Sequence, residues 1–243
     1  MSVNASKVSE DDNFLTKELF VSLAVLFVTL VLLYLWKKSN KTYRDVLLVG
    51  LCDSGKTALY SHLLFNKAVQ TFTSQVENIG EFKNSKKSLR VVDIPGHERA
   101  FGKFWDVYKT SCKGIIFVVD SENVQTSVCD VADLLYRVIT DDTIVSNKSK
   151  ILVVCNKQDK LMAKGSEVIK TLLEKELDTL RITKANQLES IDGKKNNKTS
   201  LGKKKKSFEF SHCQIPVEFA ESSLSASQDV VLEPVKNWLD KIQ

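Results

Sequence analysis

The residues Gly50-Leu51-Cys52-Asp53-Ser54-Gly55-Lys56-Thr57 have the types and spacing of a phosphate cradle. They follow an apolar run at 46–49 and precede a helix-like stretch that starts at Ala58 and reaches 64. Strand, glycine loop and helix is the setting in which G-x-x-x-x-G-K-[ST] binds phosphate instead of making a chance turn. Backbone N–H groups of such a loop converge on the phosphates, and the helix N-terminus adds a positive dipole end. Lys56 is expected to reach the β- and γ-phosphates, and the Thr57 hydroxyl to hold Mg²⁺.

A base-reading element comes about a hundred residues later. Asn156-Lys157-Gln158-Asp159 follows a second buried-strand pattern at 151–155. A carboxylate at Asp159 can accept from both N1–H and the 2-amino group of guanine, and adenine offers no such pair. Asn156 is expected at the far edge of the base, with the apolar stem of Lys157 over its face. Between the two lies Asp93-Ile94-Pro95-Gly96-His97, at the end of a run at 89–94. There Asp93 can hold the magnesium shell through water, and the Gly96 N–H can bond the γ-phosphate. Thr71-Phe72-Thr73-Ser74 stands where a first switch loop contributes a Thr to Mg²⁺. Thr73 is the first choice and Thr71 the second, and Ser74 adjoins the phosphates. Glu221-Ser222-Ser223-Leu224, after a run at 217–220, brings the backbone of Ser223 and Leu224 to the guanine carbonyl.

The elements that must position these residues form an α/β pattern. Apolar runs at 45–50, 89–94, 114–120, 150–156 and 217–220 alternate with helical stretches. Val231, Val235, Trp238, Leu239 and Ile242 fall on one face of a terminal helix and read as core, although Pro234 suggests that the helix begins only there. Val168, Leu172, Leu173, Leu177 and Leu180 line a helix ending near Arg181. Beyond it, residues about 184–207 are polar and lysine-rich, a composition that reads as a flexible, solvated insertion. Basic runs also attract phosphates, so a ribosome- or lipid-contacting role stands beside that reading. The net charge of +5 comes largely from this tract and from lysines after residue 36.

Residues 19–36 form an uncharged run of 18 residues, roughly 27 Å of helix, with Tyr34 and Trp36 at one end. This predicts a single transmembrane helix. Lys37, Lys38, Lys41 and Arg44 follow it, against Lys7 and Lys17 before it, which places the following domain in the cytosol. The expected division is a short lumenal N-terminus at 1–18, the span at 19–36, a basic linker at 37–43 and a GTP-binding domain at 44–243. Five cysteines, an odd number without a C-x-x-C pair, agree with a reducing compartment. Ser2 after Met1 excludes myristoylation.

These motifs, in this order, resemble the Ras-like small GTPases of the P-loop NTPase class. That resemblance implies a six-stranded, mostly parallel sheet with helices on both faces. Together with the predicted span and the Leu201-Gly202-Lys203-Lys204 tract before Phe208-Glu209-Phe210-Ser211, the chain is similar to the β-subunit family of the signal recognition particle receptor. That family implies GTP or GDP with Mg²⁺ as cofactors and a place at the endoplasmic reticulum membrane. It also implies a receptor α subunit held through its N-terminal domain by the switch segments, here 71–79 and 97–105. The ribosome or translocon is a further partner, and nothing calls for direct DNA binding. Phe101, Phe104 and Trp105 can be read equally as partner anchors or as core. His97 stands where most Ras-like proteins carry a water-orienting Gln, and an imidazole can fill that role. Cys52 crowds the γ-phosphate, so slow hydrolysis and a binding switch are expected. Two other functions fit the same motifs: an Arf/Sar-like transport GTPase, and a scaffold with GTP as structural cofactor.

Overall fold

The computed structural model describes residues 21–33, 45–67, 74–83, 88–191, 201–202, 206–224 and 230–242. The chain divides into two units, Met1–Thr42 and Tyr43–Gln243. In the first, residues 21–33 are helical and expose apolar side chains such as Leu23 and Phe27. At 1.5 Å per residue this segment is about 20 Å long, against roughly 30 Å of hydrocarbon. Among the described residues no helix is long and apolar enough to cross a membrane. The transmembrane helix expected over 19–36 is therefore contradicted: the part of that run that is described, 21–33, is helical but too short to cross a bilayer, and the remainder lies outside the described residues.

The second unit is built on one six-stranded sheet: β1 Asp45–Val49, β2 Asn78–Lys83, β3 Ser88–Asp93, β4 Cys112–Asp120, β5 Lys150–Asn156 and β6 Val217–Glu221. Its spatial order is β2-β3-β1-β4-β5-β6. All neighbours are parallel except β2, which runs antiparallel to β3. Five strands match the apolar runs of the sequence. β2 does not, because Asn78-Ile79-Gly80-Glu81-Phe82-Lys83 alternates half-buried and exposed side chains along a sheet edge.

The helices are α1 Lys56–Phe65, α2 Glu98–Tyr108, α3 Val124–Ile139, α4 Asp142–Asn147, α5 Ser166–Ile191 and α6 Glu233–Ile242. Strand periodicity divides the core between the two faces. Val46 and Leu48 of β1 pack with α1 and α6, while Leu47 and Val49 pack with α2, α3, α4 and α5. On α5, Ile169, Leu173 and Leu177 are fully buried, whereas Val168 is exposed. The helix runs ten residues past the expected end at Arg181, to Ile191. The lysine-rich stretch is also not wholly solvated. Leu201 and Phe208 join the core, and Arg181 donates to the Lys206 carbonyl at 2.7 Å. Apolar residues at the borders of the tract suffice to tie its ends down.

α6 begins beside Pro234, as its fixed φ favours. Val235, Trp238, Leu239 and Ile242 are buried as expected, but Val231 lies before the helix, half-exposed and bridged to Ser223. Gly114 of β4 lets the end of α6 come close: a Cβ there would stand 2.8 Å from Ile242 and 2.9 Å from Trp238. The Trp238 indole is buried, yet its Nε1–H has no partner among the described residues. An unpaired buried donor carries a desolvation penalty that a phenyl ring does not. Trp238→Ala should therefore cost about 3–5 kcal/mol, while Trp238→Phe should cost less than about 1.5 kcal/mol, both read by urea unfolding of the whole chain.

Candidate functional site

Because five of the six strands are parallel, the loops after β1, β3, β5 and β6 meet at one end of the sheet. They line a cavity of about 470 Å³. The first loop leaves β1 through Gly50 at φ 153°, where a Cβ would stand 2.3 Å from the Val118 carbonyl oxygen. Asp53 and Gly55 both adopt positive φ, at 58° and 92°, and turn the backbone into α1. Leu51 closes the loop from within, its carbonyl accepting from Ser54 Oγ at 2.9 Å and Lys56 Nζ at 2.6 Å. Cys52, Asp53, Gly55, Lys56, Thr57 and Ala58 all line the cavity. Lys56 is nearly buried, and desolvation lowers its pKa, partly countered by Asp93 and then by Cys52 and Asp53. An ammonium held in that state is well matched to phosphate oxygens.

Asp93 ends β3 between β1 and β2, opposite Leu48 and Asn78. Its Oδ2 accepts from Thr57 Oγ1 at 2.8 Å and from Asn78 Nδ2 at 3.1 Å. Its Oδ1 is buried without a hydrogen-bond partner among the described residues. Burial raises the Asp93 pKa, and the bonds from Asn78 and Thr57 and the charge of Lys56 pull it back only in part. Thr57 Oγ1 also lies 3.2 Å from Ser74 Oγ. A hard cation fits here: hydroxyl and carboxylate oxygens adjoin, and the carboxylate has an unsatisfied oxygen. Gly96 completes the phosphate side, for a Cβ would stand 2.7 Å from both the Cys52 N and Lys56 Nζ. Thr71 and Thr73 lie outside the described residues, which include Ser74 as a lining residue.

At the other end, Asp159, Lys157, Asn156 and Leu224 line the same cavity. Asn156 was expected at the edge of the base, and its geometry differs. Its Nδ2 donates to the Ser54 carbonyl at 2.9 Å, and its Oδ1 accepts from Ser222 Oγ at 3.0 Å. Both ends of the amide are thus used to brace three loops. Ser223 Oγ donates to Asp159 Oδ1 at 3.3 Å, fixing the carboxylate that is to read the base. Lys157 adopts φ 66° and its Nζ bonds Asp120 Oδ2 at 2.7 Å, which holds the side chain in place. Gln158 clamps the loop from behind, donating to Ser121 Oγ and to the Lys164 carbonyl, both at 2.9 Å.

Asn78, Asp120, Ser121 and Ser222 were not among the expected site residues. Ser222 was adjacent to one that was, and Asn78 carried no signal because β2 itself was not legible. His97 is not brought to the cavity. It is exposed at the N-cap of α2, and its carbonyl accepts from Ala100 and Phe101. Phe101 and Trp105 are core, 2 % and 7 % exposed and stacked at 5.5 Å, and Trp105 Nε1 donates to Asp141. They cannot anchor a partner, and Phe104 packs partly against the same core. The exposed apolar residues near the switch segments are instead Val76, Ile79 and Val107, 64 %, 47 % and 60 % accessible. Tyr108 Oη donates to Glu77 Oε1 at 3.1 Å and so joins the end of α2 to this stretch.

A family profile described as signal recognition particle receptor beta subunit matches residues 41–217. The signal recognition particle receptor subunit beta of Rattus norvegicus is 41 % identical over 236 residues, covering 92 % of this chain and 87 % of the rat protein. The solved structure of the mammalian signal recognition particle receptor superposes with a TM-score of 0.73 at 40 % identity, over 82 % of this chain and 100 % of that one. A receptor SRβ–GTP/SRX complex from Chaetomium thermophilum shares the fold, with a TM-score of 0.66 at 20 % identity over 81 % of this chain and 99 % of that one.

A raised carboxyl pKa means that the native state holds the proton more tightly than the unfolded chain. The contribution of Asp93 to stability is full below the ordinary carboxylate range and is lost as pH rises through its native pKa. Asp93→Asn should therefore raise the melting midpoint of the nucleotide-free chain at neutral pH by roughly 2–4 °C, a gain that fades toward pH 4. The same variant should lose the tightening of nucleotide binding by Mg²⁺, read by titration with and without the ion.

Proposed function

The chain belongs to the signal recognition particle receptor beta subunit family, and on that premise we propose that it is a GTP-dependent binding switch that holds the receptor's α subunit at the endoplasmic reticulum. The observation that carries this reading is one cavity with two differently built ends. A buried lysine and an orphaned carboxylate oxygen stand at the phosphate end, and a fixed carboxylate at the base end.

Guanine nucleotide fits that arrangement. Asp159 would accept from the base, Lys56 and the loop N–H groups would hold the phosphates, and Thr57 and Asp93 would hold Mg²⁺. The ion, once bound, neutralises charge on the phosphate oxygens. Gly96 leaves space beside Lys56 that a Cβ would fill, and its N–H would bond the terminal phosphate. His97 lies outside the cavity lining, which supports slow hydrolysis at most and gives the nucleotide chiefly a binding role. The exposed apolar residues Val76, Ile79 and Val107 are the contact we assign to the N-terminal domain of the α subunit. The exposed apolar helix at 21–33 supplies surface for association with the bilayer, with the GTP-binding domain on the cytosolic side. Contact with the ribosome or the translocon would follow from the same place in targeting.

Detergent-extracted chain loaded with GTP or GDP should retain the α-subunit N-terminal domain in the GTP form at least tenfold better. Val76→Asp or Ile79→Asp should abolish that retention with GTP affinity unchanged. Lys56→Ala should lose nucleotide and partner together. Equal retention by both nucleotide forms would leave a scaffold with GTP as structural cofactor, and fast single-turnover hydrolysis by the chain alone would contradict the slow switch.

A further inference from the structure

We propose that a second cavity, at the opposite end of the sheet, receives the phosphate of an anionic lipid headgroup. It measures about 410 Å³ and is lined by Lys113, Lys148, Lys150 and Lys241 together with Asn147 and Ile242. Among the described residues no carboxylate lines it. The inference rests on the membrane association proposed above and adds a surface by which the folded domain itself meets the bilayer.

The fold brings these ammonium groups together from three separate places. Lys113 and Lys150 stand at the starts of adjacent parallel strands, β4 and β5. Lys148 caps α4 at φ 53°, its N–H bonded to the carbonyls of Ile144 and Val145. Lys241 arrives on α6, which can reach β4 only because Gly114 has no side chain. A cation at a helix C-terminus favours the helix dipole, and that accounts for Lys148 and Lys241. It does not account for Lys150, which begins a strand. Like charges around one cavity repel each other, and an anion among them reverses the sign of that energy. Among the described residues, Lys148, Lys150 and Lys241 form no ion pair.

The position of the cavity favours a membrane over a nucleic acid. The nucleotide cavity lies at the C-terminal ends of the strands, and this one at the N-terminal ends of β4 and β5. β1 enters the sheet at the same end, with Asp45 in register with Cys112. Residues 34–44, eleven in all, link the apolar helix to that point and include Lys37, Lys38, Lys41 and Arg44. An RNA strand would need a groove of cations with aromatic side chains for the bases. Here the cations converge on one cavity with no aromatic lining. A single phosphate headgroup beside a bilayer fits that geometry.

Flotation of the full chain with vesicles tests this. Wild type should bind phosphatidylcholine vesicles, and bind vesicles with added phosphatidylinositol more tightly, with the gain shrinking as salt rises. The variant Lys148→Gln, Lys150→Gln, Lys241→Gln should lose that gain, on the order of a hundredfold in affinity, while its binding to neutral vesicles and to GTP stays unchanged. A variant that keeps the gain overturns the proposal. So does soluble glycerophosphoinositol competing at the concentration of the lipid, which would make the site one for a free phosphate. Loss of RNA binding in the variant with the vesicle gain intact would assign the cavity to RNA instead. Wild type that binds neutral vesicles without a gain on anionic ones sinks the cavity proposal alone. Absence of binding to either sinks the membrane reading beneath it as well.

Discussion

A carboxylate with one oxygen satisfied and the other buried bare is the interaction on which the site depends. Asp93 is placed by register, between β1 and β2, so that its position is set by the sheet and not by a loop. Thr57 and Asn78 satisfy Oδ2, and Oδ1 has no partner among the described residues. Burying an ionised carboxylate in that state costs free energy that hydrogen bonds to one oxygen do not repay. A divalent cation held by Thr57 and Asp93 would offset it, and occupancy would then stabilise the whole domain by mass action. The burial of Lys56 works in the same direction with the opposite charge. Two groups held at a cost toward one cavity are what a charged, tightly bound nucleotide requires.

The two ends of the cavity differ in how much of their bonding is already complete. At the base end, Asn156 ties the Ser54 and Ser222 loops together, Ser223 fixes Asp159, and Gln158 is bonded on three sides. Satisfied buried networks resist rearrangement. At the phosphate end, among the described residues, Thr57 is shared between Asp93 and Ser74, and one oxygen of Asp93 has no partner. A base held at Asp159 would therefore meet a preorganised frame, and a phosphate would meet the buried Asp93 oxygen that has no partner among the described residues.

Much of this was legible in the sequence, for a reason that differs from element to element. The phosphate loop, Asp93 and the Asn156–Asp159 turn are encoded by residue type at fixed spacing, so the local chain carries the geometry. The central strands β1, β4 and β5 were legible because burial on both faces demands continuous apolar runs. β2 was hidden because Asn78, Gly80, Glu81 and Lys83 leave only two large apolar side chains among its six residues. The roles of Phe101 and Trp105 could not be read, since an amphipathic stripe looks the same whether it faces a core or a partner; the stacking and the bond to Asp141 decide it. The far end of α5 was missed because polar residues carry no stripe, and only packing through Leu201 and Phe208 reveals how the tract after it returns. Hydropathy at 19–36 measured how apolar the run is, and among the described residues no helix is long and apolar enough to cross a membrane. His97 was assigned by spelling, and the spelling does not fix on which side of the turn an N-cap side chain lies.

The link between phosphate and partner needs no long pathway. Asn78, which donates to Asp93, and Ile79, which is exposed, are neighbours on β2. Successive residues on a strand face opposite ways, so one backbone step separates the carboxylate's bonding from an apolar surface. Ile79 pairs with Val92, which joins the core on the side of α2, and Tyr108 at the end of α2 holds Glu77. A change in what Asp93 binds must therefore be taken up by β2 or by its junction with α2. Both carry exposed apolar residues, Val76 and Ile79 on either side of Glu77 and Val107 beside Tyr108. Edge strands are the cheapest part of a sheet to shift, because they have one neighbour to lose. Because Asp93 accepts from Asn78 on the edge strand, a change at the phosphate end would have a short route to the surface.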